Sequence, residues 1–335
     1  MKKLFLLLVA AIVAATATFA QSSMLATLSH EGDISTYYGA TALRDAHNAA
    51  AHGDIITLSS GSFVAVNITK AVTIRGAGME VNTALQIEPT VITGDFDINI
   101  ANDVTERLTI EGIYHNHQIT YKGTLQNATF IKDRFKKITY SGGSMKNATF
   151  IHCRIAEELY LYDNSTANCV NCVVWYPYSR HSSTSNFEFQ NCVIGSGYVS
   201  YIRSSLFKNC IIFAKDADSS YYNYMSSDCM AYNCIGVGNG GIFNSMPNQS
   251  NIIKSYTEVF KTLTGNTYND SENFELADDA KTGLLGIDGT QVGIYGGNMP
   301  FDSTPTNPQI TKCNVAAKST ADGKLSVDIT VNGAE

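Results

Sequence analysis

The feature of this sequence that most constrains its fold is a short pattern that recurs about every twenty residues. The clearest copies are NATFIKDRF, NATFIHCRI, TANCVNCVV, FEFQNCVIG, LFKNCIIF and AYNCIGVG. Aligned on the residue before Asp133 or before the repeated cysteine, and extended backwards, nine copies follow one another at spacings of 18 to 24 residues. A fixed period in this range is typical of a solenoid, in which each repeat packs only on its neighbours.

Each copy contains one residue at which the alternation of apolar and polar side chains changes phase. Alternation with period two indicates strands with one buried face, so the residue at the phase change is predicted to be a corner between two strands. The nine predicted corners are Gly76, Gly94, Gly112, Lys132, His152, Asn171, Asn191, Asn209 and Asn233. Glycine and asparagine adopt left-handed backbone conformations most readily. The pattern therefore predicts an all-β, right-handed parallel β-helix of about nine turns.

The open ends of such a solenoid need a cover. Residues 40–51 place Leu43, Ala46, Ala49 and Ala50 on one side of an amphipathic helix, which we predict to be the N-terminal cap. The last residues predict a short C-terminal β-hairpin, expected to pack on the last turns. We divide the chain into a signal peptide (1–20), the β-helix with its N-terminal cap (21–299), and a proline-containing linker with the hairpin (300–335).

Residues 1–20 have the composition of a secretory signal peptide. Lys2 and Lys3 precede an apolar run that ends at Ala20, and cleavage is expected before Gln21. We predict no membrane span and a protein that is extracellular, on the cell surface or periplasmic. Loss of the two lysines would change the net charge from −7 to −9, and an acidic surface disfavours nucleic acid as a partner.

Eight cysteines in an exported chain suggest either a disulfide framework or a buried column. Five of them share one position of the repeat: Cys153, Cys172, Cys192, Cys210 and Cys234. We favour reduced side chains stacked in the core, because packing alone explains their regular spacing.

Two segments resemble a known family. ALRDAHNAAAHGDIITLSSGSFVAVNITKAVTIRGAG (residues 42–78) is similar to the N-terminal cap and first turns of pectin-lyase-like right-handed β-helix proteins. GIDGTQVGIYGGNMPF (residues 286–301) is similar to the exit segment of exported β-helix proteins of the Bacteroidetes. The resemblance covers about residues 25–310 and implies the fold and export. It does not imply an activity, because this fold hosts lyases, hydrolases, adhesins and structural rods.

Patterns for catalysis or metal binding are sparse. Residues one period apart become neighbours in a β-helix, so a hydrolase site needs carboxylates about twenty residues apart, and no such column is evident. The candidate bases for a lyase are Arg180, His181, Arg203 and Lys215, without acids beside them to hold calcium. His115 and His117 share a strand face but make only half of a zinc site. We predict no metal and no cofactor.

Aromatic residues are the one set of candidate binding residues whose spacing follows the repeat regularly. Tyr121, Tyr140, Tyr160, Tyr178 and Tyr198 recur at intervals of 18 to 20 residues, which predicts a column along the solenoid. Flat apolar rings with a polar edge suit stacking on sugar rings. The predicted carbohydrate-binding residues are Tyr140, Tyr160, Tyr162, Trp175, Tyr176, Tyr178, Tyr198 and Tyr201. The alternation does not decide whether this column faces the core or the solvent.

We therefore expect an exported, non-catalytic β-helix protein that binds polysaccharide or cell-surface glycan, or serves as a surface interaction module. A polysaccharide lyase or glycoside hydrolase of the pectin-lyase-like superfamily is the first alternative, and a purely structural rod is the second. Exposed tyrosines without acids favour the binding protein, a carboxylate column favours the enzyme, and buried tyrosines favour the rod. The sequence leaves the oligomeric state open.

Overall fold

The computed structural model describes residues 24–85, 87–179, 185–195, 201–213, 225–238, 241–243, 249–265, 267–315, 318–319 and 322–332, with the backbone alone for 309–315 and 332. Over these residues the chain winds into an all-β, right-handed parallel β-helix of about nine turns, as predicted. Two long sheets and one short sheet form its walls, and a two-stranded hairpin follows.

The first sheet begins with an antiparallel hairpin and continues with one strand from each turn. Its strands, in spatial order, are β2 (Asp33–Tyr38), β1 (Leu25–His30), β3 (Ile55–Leu58), β5 (Thr73–Arg75), β8 (Thr109–Glu111), β11 (Thr129–Ile131), β14 (Ala148–Ile151), β16 (Thr166–Val170), β18 (Asn186–Gln190), β20 (Leu206–Lys208) and β22 (Met230–Tyr232).

The second sheet lies on the other side of the corners. Its strands are β4 (Gly61–Val64), β6 (Thr90–Thr93), β7 (Phe96–Ile98), β9 (Ile113–Tyr121), β12 (Arg134–Tyr140), β15 (Arg154–Tyr160), β17 (Val173–Tyr178), β19 (Val193–Ile194), β21 (Ile211–Phe213), β23 (Ile235–Val237) and β24 (Ile252–Lys254). The short sheet pairs β10 (Thr124–Gln126) with β13 (Ser144–Lys146), and the C-terminal hairpin pairs β25 (Gln309–Val315) with β26 (Val327–Asn332).

Eight of the nine predicted corners have a positive φ, including Lys132 at 53° and His152 at 54°. Gly76 is not among the residues with positive φ, but a Cβ there would lie 2.3 Å from the carbonyl oxygen of Gly112, so only glycine fits. The prediction for Gly94 is wrong, because this residue joins β6 to β7 within one sheet and β5 pairs directly with β8. The additional turn lies upstream, where β3 leads into β4.

Side chains repeated at each turn fill the interior. Phe130 stacks on Phe150 with a centroid distance of 4.7 Å, and Phe189 stacks on Phe207 at 5.1 Å. The cysteine column lies inside as predicted, and the seven cysteines whose side chains are described are all buried and unpaired. Each thiol in the column has a backbone carbonyl within reach, as for Cys192, whose Sγ lies 3.2 Å from the carbonyl oxygen of Cys169.

The N-terminal cap is helix α1 (Ala42–Ala49), which buries Ala42, Leu43, Ala46 and His47, while Ala50 is buried just beyond its end. The predicted face is correct except at Ala49, which is exposed. The β1–β2 hairpin was not predicted, although two alternating runs separated by the two residues Glu31 and Gly32 are a hairpin signal.

After the last turn the chain returns along the outside of the solenoid. Helices α2 (Tyr256–Val259) and α3 (Asp278–Gly283) belong to a segment that packs on the outer face of the second sheet. Phe213 of β21, for example, stacks on Phe260 with a centroid distance of 5.5 Å. This second hydrophobic cluster covers the outer face of β17, β19, β21 and β23.

Residues 286–307, which we call the strap, run back along the corners towards the first turns. Their contacts are made in order by Asn209 (to Ile287), Asn171 (to Ile294 and Gly296), His152 (to Met299), Lys132 (to Asp302 and Thr304) and Gly76 (to Asn307). His152 and Lys132, the two corners that depart from glycine and asparagine, therefore use their side chains to hold the strap. The amide of Asn307 donates to the carbonyl of Gly76 at 2.7 Å, so the chain enters the C-terminal hairpin beside the first turns and not beside the last.

Candidate functional site

Tyrosine rings of consecutive turns come together at the end of the long strands of the second sheet. We call this set the tyrosine surface; its described members are Tyr140, Tyr160, Tyr162, Tyr176, Tyr178 and Tyr201. Tyr176 is 40% exposed and the other five are half-buried. Tyr198 lies outside the described residues.

The rings form a continuous series of contacts across four turns. Tyr160 stacks on Tyr178 with a centroid distance of 4.4 Å and an interplanar angle of 28°. Tyr140 lies 4.8 Å from Tyr160 and stacks on Tyr162 at 4.1 Å and 10°. Tyr201 meets Tyr178 edge-on at 5.2 Å. The spacings are close to the distance between neighbouring strands, because each ring is carried by a different turn.

Irregularities in the strand register move this column from the interior, at Tyr121 and Tyr140, to the surface, from Tyr160 onwards. Between Ile155 and Leu159, β15 has one more residue than the matching part of β12. Side chains alternate between the two faces of a strand, so one extra residue moves the next side chains to the opposite face. Tyr121 and Tyr140 each follow a buried isoleucine by two residues and face inward, with Tyr140 half-buried at the edge of the core, whereas Tyr160 follows the buried Leu159 by one and faces outward.

Tyr121, the first predicted member of the column, is completely buried behind the surface. Its hydroxyl donates to the carbonyl of Tyr160 at 2.8 Å and accepts from the amide of Tyr162 at 3.2 Å. Burial raises the pKa of Tyr121 to about 12. The residue therefore fixes the backbone that carries two of the surface rings.

Polar groups border the tyrosine rings. Lys137 and Glu158 form an ion pair of 2.7 Å, and Glu158 lies directly across from Tyr176 on the neighbouring strand. Burial, and then the neighbouring hydroxyls of Tyr178 and Tyr140, raise the pKa of Tyr160. The surface thus offers flat aromatic faces together with neutral hydroxyls and one pair of opposite charges.

Trp175 lies apart from this surface. Its ring is 2% exposed. Tyr268 of the C-terminal segment covers it at a centroid distance of 5.3 Å, and Phe213 of β21 lies beside it at the same distance. A Cβ on Gly195 would lie 2.2 Å from the indole, so glycine is required beneath the ring. In this arrangement the indole has no face open to a ligand.

The other candidates from the sequence have structural partners or lie outside the described residues. His115 is buried, with its Nε2 2.9 Å from the carbonyl oxygen of Gly94, and burial lowers the pKa of its imidazole. His117 is paired with Asp95 at 3.8 Å. Arg203 donates to the hydroxyl of Ser226 at 2.7 Å, and the remaining candidate bases, at positions 180, 181 and 215, are not among the described residues.

The structure also brings together a pair of carboxyl groups that the repeat pattern does not predict. Glu111 ends β8 and Asp133 follows the corner of the next turn. Complete burial raises the pKa of Asp133, and the nearby charge of Glu111 raises it further. Asp133 accepts the amides of Ile113 at 2.9 Å and Ile131 at 3.1 Å, so its carboxyl holds the corner. Glu111 precedes the corner of its turn, whereas Asp133 follows the corner of the next turn. They therefore occupy different positions of the repeat, and comparing one repeat position between turns does not reveal the pair.

Within the described residues, no cluster of three or more His, Cys, Asp or Glu side chains is arranged to hold a metal ion. The helices of the described residues are also too short and too polar for a membrane crossing. Comparisons of the chain with protein-family models, curated proteins and solved structures found no match.

Proposed function

We propose that this protein is an exported, non-catalytic β-helix of the pectin-lyase-like type that binds glycan through the tyrosine surface. The observation that carries the proposal is the contact series of Tyr140, Tyr160, Tyr178 and Tyr201, whose half-buried rings lie on consecutive turns. A glycan chain lying along the solenoid axis would meet the outward rings of Tyr160 and Tyr178 on consecutive turns, with the half-buried ring of Tyr140 at one end.

Two features support a sugar as the ligand. Sugar rings have apolar faces bordered by hydroxyl groups, and tyrosine offers the matching combination of apolar face and polar edge. The ion pair of Lys137 and Glu158 adds a donor and an acceptor beside Tyr176. The net negative charge of the chain favours a neutral glycan over an acidic one.

The test is the double substitution Tyr160→Ala/Tyr178→Ala, with binding measured on a glycan array and then by titration with the best oligosaccharide. Loss of two stacking rings, each contributing about 1 kcal/mol, predicts a loss of affinity of roughly tenfold or more. The thermal stability of the same variant must be measured in parallel. Truncating a fully buried large aromatic side chain typically lowers the free energy of unfolding by about 3–5 kcal/mol. Because both rings are half-exposed, the loss of stability per ring should be smaller than this.

Tyr232→Ala is the matched control, since Tyr232 is a half-exposed tyrosine on β22 in the first sheet. This variant should bind as the wild type does. Unchanged binding by the double variant would refute the proposal. So would binding that is lost only together with the fold, because the rings would then serve packing alone.

A further inference from the structure

Strand β2 is the end strand of the first sheet and pairs, among the described residues, only with β1. Nearly all of its residues are exposed, and its apolar side chains are the most exposed in the described chain: Ile34 and Tyr38 are each 73% exposed. No lysine or proline lies within the strand to discourage pairing with another strand.

The turn before β2 determines which backbone groups point to the open edge. Glu31 and Gly32 both have positive φ, as in the two-residue turns that close tight hairpins. In an antiparallel pair, residues alternate between hydrogen-bonding to the partner strand and pointing away from it. The amide of Gly39 donates to the carbonyl of Met24 at 2.9 Å, so the odd-numbered residues of β2 bond to β1. The amides and carbonyls of Ile34, Thr36 and Tyr38 therefore point outward.

We propose that β2 is a dimerisation edge, on which two copies of this chain pair antiparallel about a two-fold axis at Thr36. In this register Ile34 of each copy lies opposite Tyr38 of the other copy, and the two Thr36 residues lie opposite each other on the two-fold axis. β-Branched residues opposite aromatic residues, and threonine opposite threonine, are favourable cross-strand pairs. Ile34, Thr36 and Tyr38, whose backbone groups point outward, then form the three hydrogen-bonded pairs between the copies. Each such pair exchanges two backbone hydrogen bonds, so the interface contains about six.

The charges favour the same register. Asp33 would lie opposite Gly39 of the second copy, so the two carboxylates are not placed against each other. A two-fold interface uses one patch twice and therefore requires a self-complementary strand, which DISTYYG is about its central threonine. The first sheets of the two copies would become continuous, and the open edge would be closed without a change in the fold.

Cross-linking tests the register directly. Hydrogen-bonded antiparallel partners have Cα atoms about 5.5 Å apart, within the range of a disulfide, so Thr36→Cys should give a covalent dimer under mild oxidation. Ser35→Cys is the matched control, because Ser35 would face Tyr37 of the other copy and lie too far from its own counterpart. The wild type should show twice the monomer mass by light scattering. A monomeric wild type, or equal cross-linking of the two cysteine variants, would overturn the proposal.

A charge exchange gives a second test that does not depend on oxidation. Ile34→Lys and Tyr38→Glu should each weaken the dimer by about tenfold or more, whereas the double variant should recover most of the affinity. Within one strand these positions are about 13 Å apart, so the lysine and glutamate can pair only between copies. Because β2 is exposed, circular dichroism and melting should be nearly the same for all variants. A double variant that dimerises no better than the two single variants would refute the register.

Discussion

The dependence of stability on pH tests the N-terminal cap through a single histidine. His47 of α1 is 2% exposed. Its Nε2 accepts a hydrogen bond from the amide of Thr69 at 3.3 Å, and the ammonium of Lys70 donates to its carbonyl at 2.9 Å. Burial, and then the charge of Lys70, lower the pKa of the imidazole from 6.5 to about 4.

The direction and size of the effect follow from this pKa. Below pH 6.5 the unfolded chain takes up a proton on His47, whereas the folded chain does so only near pH 4. The unfolded state therefore binds more protons in this range, and the free energy of unfolding falls as the pH decreases. One pKa unit corresponds to about 1.36 kcal/mol, so the complete shift is worth about 3 kcal/mol, most of which His47 should remove between pH 6.5 and pH 4.

The comparison is between the wild type and His47→Gln, because glutamine does not titrate and retains an oxygen that can accept the Thr69 amide. Urea unfolding at several pH values between about 7 and 4 gives the free energy for each protein, and other titrating groups cancel in the difference. A solenoid can unfold in parts, so hydrogen exchange of the Thr69 amide should be followed at the same time to report on the cap.

At neutral pH the variant should be slightly less stable than the wild type, and acidification should then reverse the order. The difference in free energy should change by about 3 kcal/mol over the range, in favour of the variant. Parallel curves for the two proteins from neutral pH to pH 4 would show that His47 is accessible to solvent and that α1 does not cover the first turn as described.

Two further predictions concern the corners. Asn191 has φ of 50°, so Asn191→Val should be less stable than Asn191→Gly by about 1–2 kcal/mol, because a β-branched residue is strongly disfavoured in the left-handed region; equal melting temperatures would contradict the corner assignment. Lys132→Met removes two contacts to the strap and should cost about 1–2 kcal/mol, with faster amide exchange across residues 299–307. The control Lys136→Met breaks only an exposed pair with Glu157 and should have almost no effect, so a similar loss in both lysine variants would count against the strap.

The β-helix could be predicted because its information is local. Period, alternation and corner residues are all read within about twenty residues, and the corners at Asn171, Asn191 and Asn209 have the expected left-handed backbone. Gly94 was misassigned for the same reason. The sequence around it has the local pattern of a corner, whereas only the pairing of β5 with β8 shows that this turn contains a long excursion between its two strands.

The tyrosine surface could be predicted only in part. The spacing correctly predicted that the rings of Tyr140, Tyr160 and Tyr178 lie together on neighbouring turns. It could not tell which face they occupy, because that depends on the extra residue in β15, and one residue reverses the direction of every side chain that follows. Trp175 illustrates a second limit, since its cover comes from residues about a hundred positions later in the chain.

The strap explains why the corner column and the tyrosine surface have different roles. The asparagine corners Asn171, Asn191, Asn209 and Asn233 present side-chain amides on neighbouring turns, and such a row can bind an extended chain. In this protein the extended chain is its own C-terminal segment: Asn171 donates to the carbonyls of Ile294 and Gly296 at 2.7 and 2.8 Å, and Lys132 reaches Asp302. The strap thus occupies the corners at Lys132, His152, Asn171 and Asn209. The rings of the second sheet beyond the covered Trp175 remain partly open, and for this reason a ligand that follows the axis is expected to meet tyrosines and not asparagines.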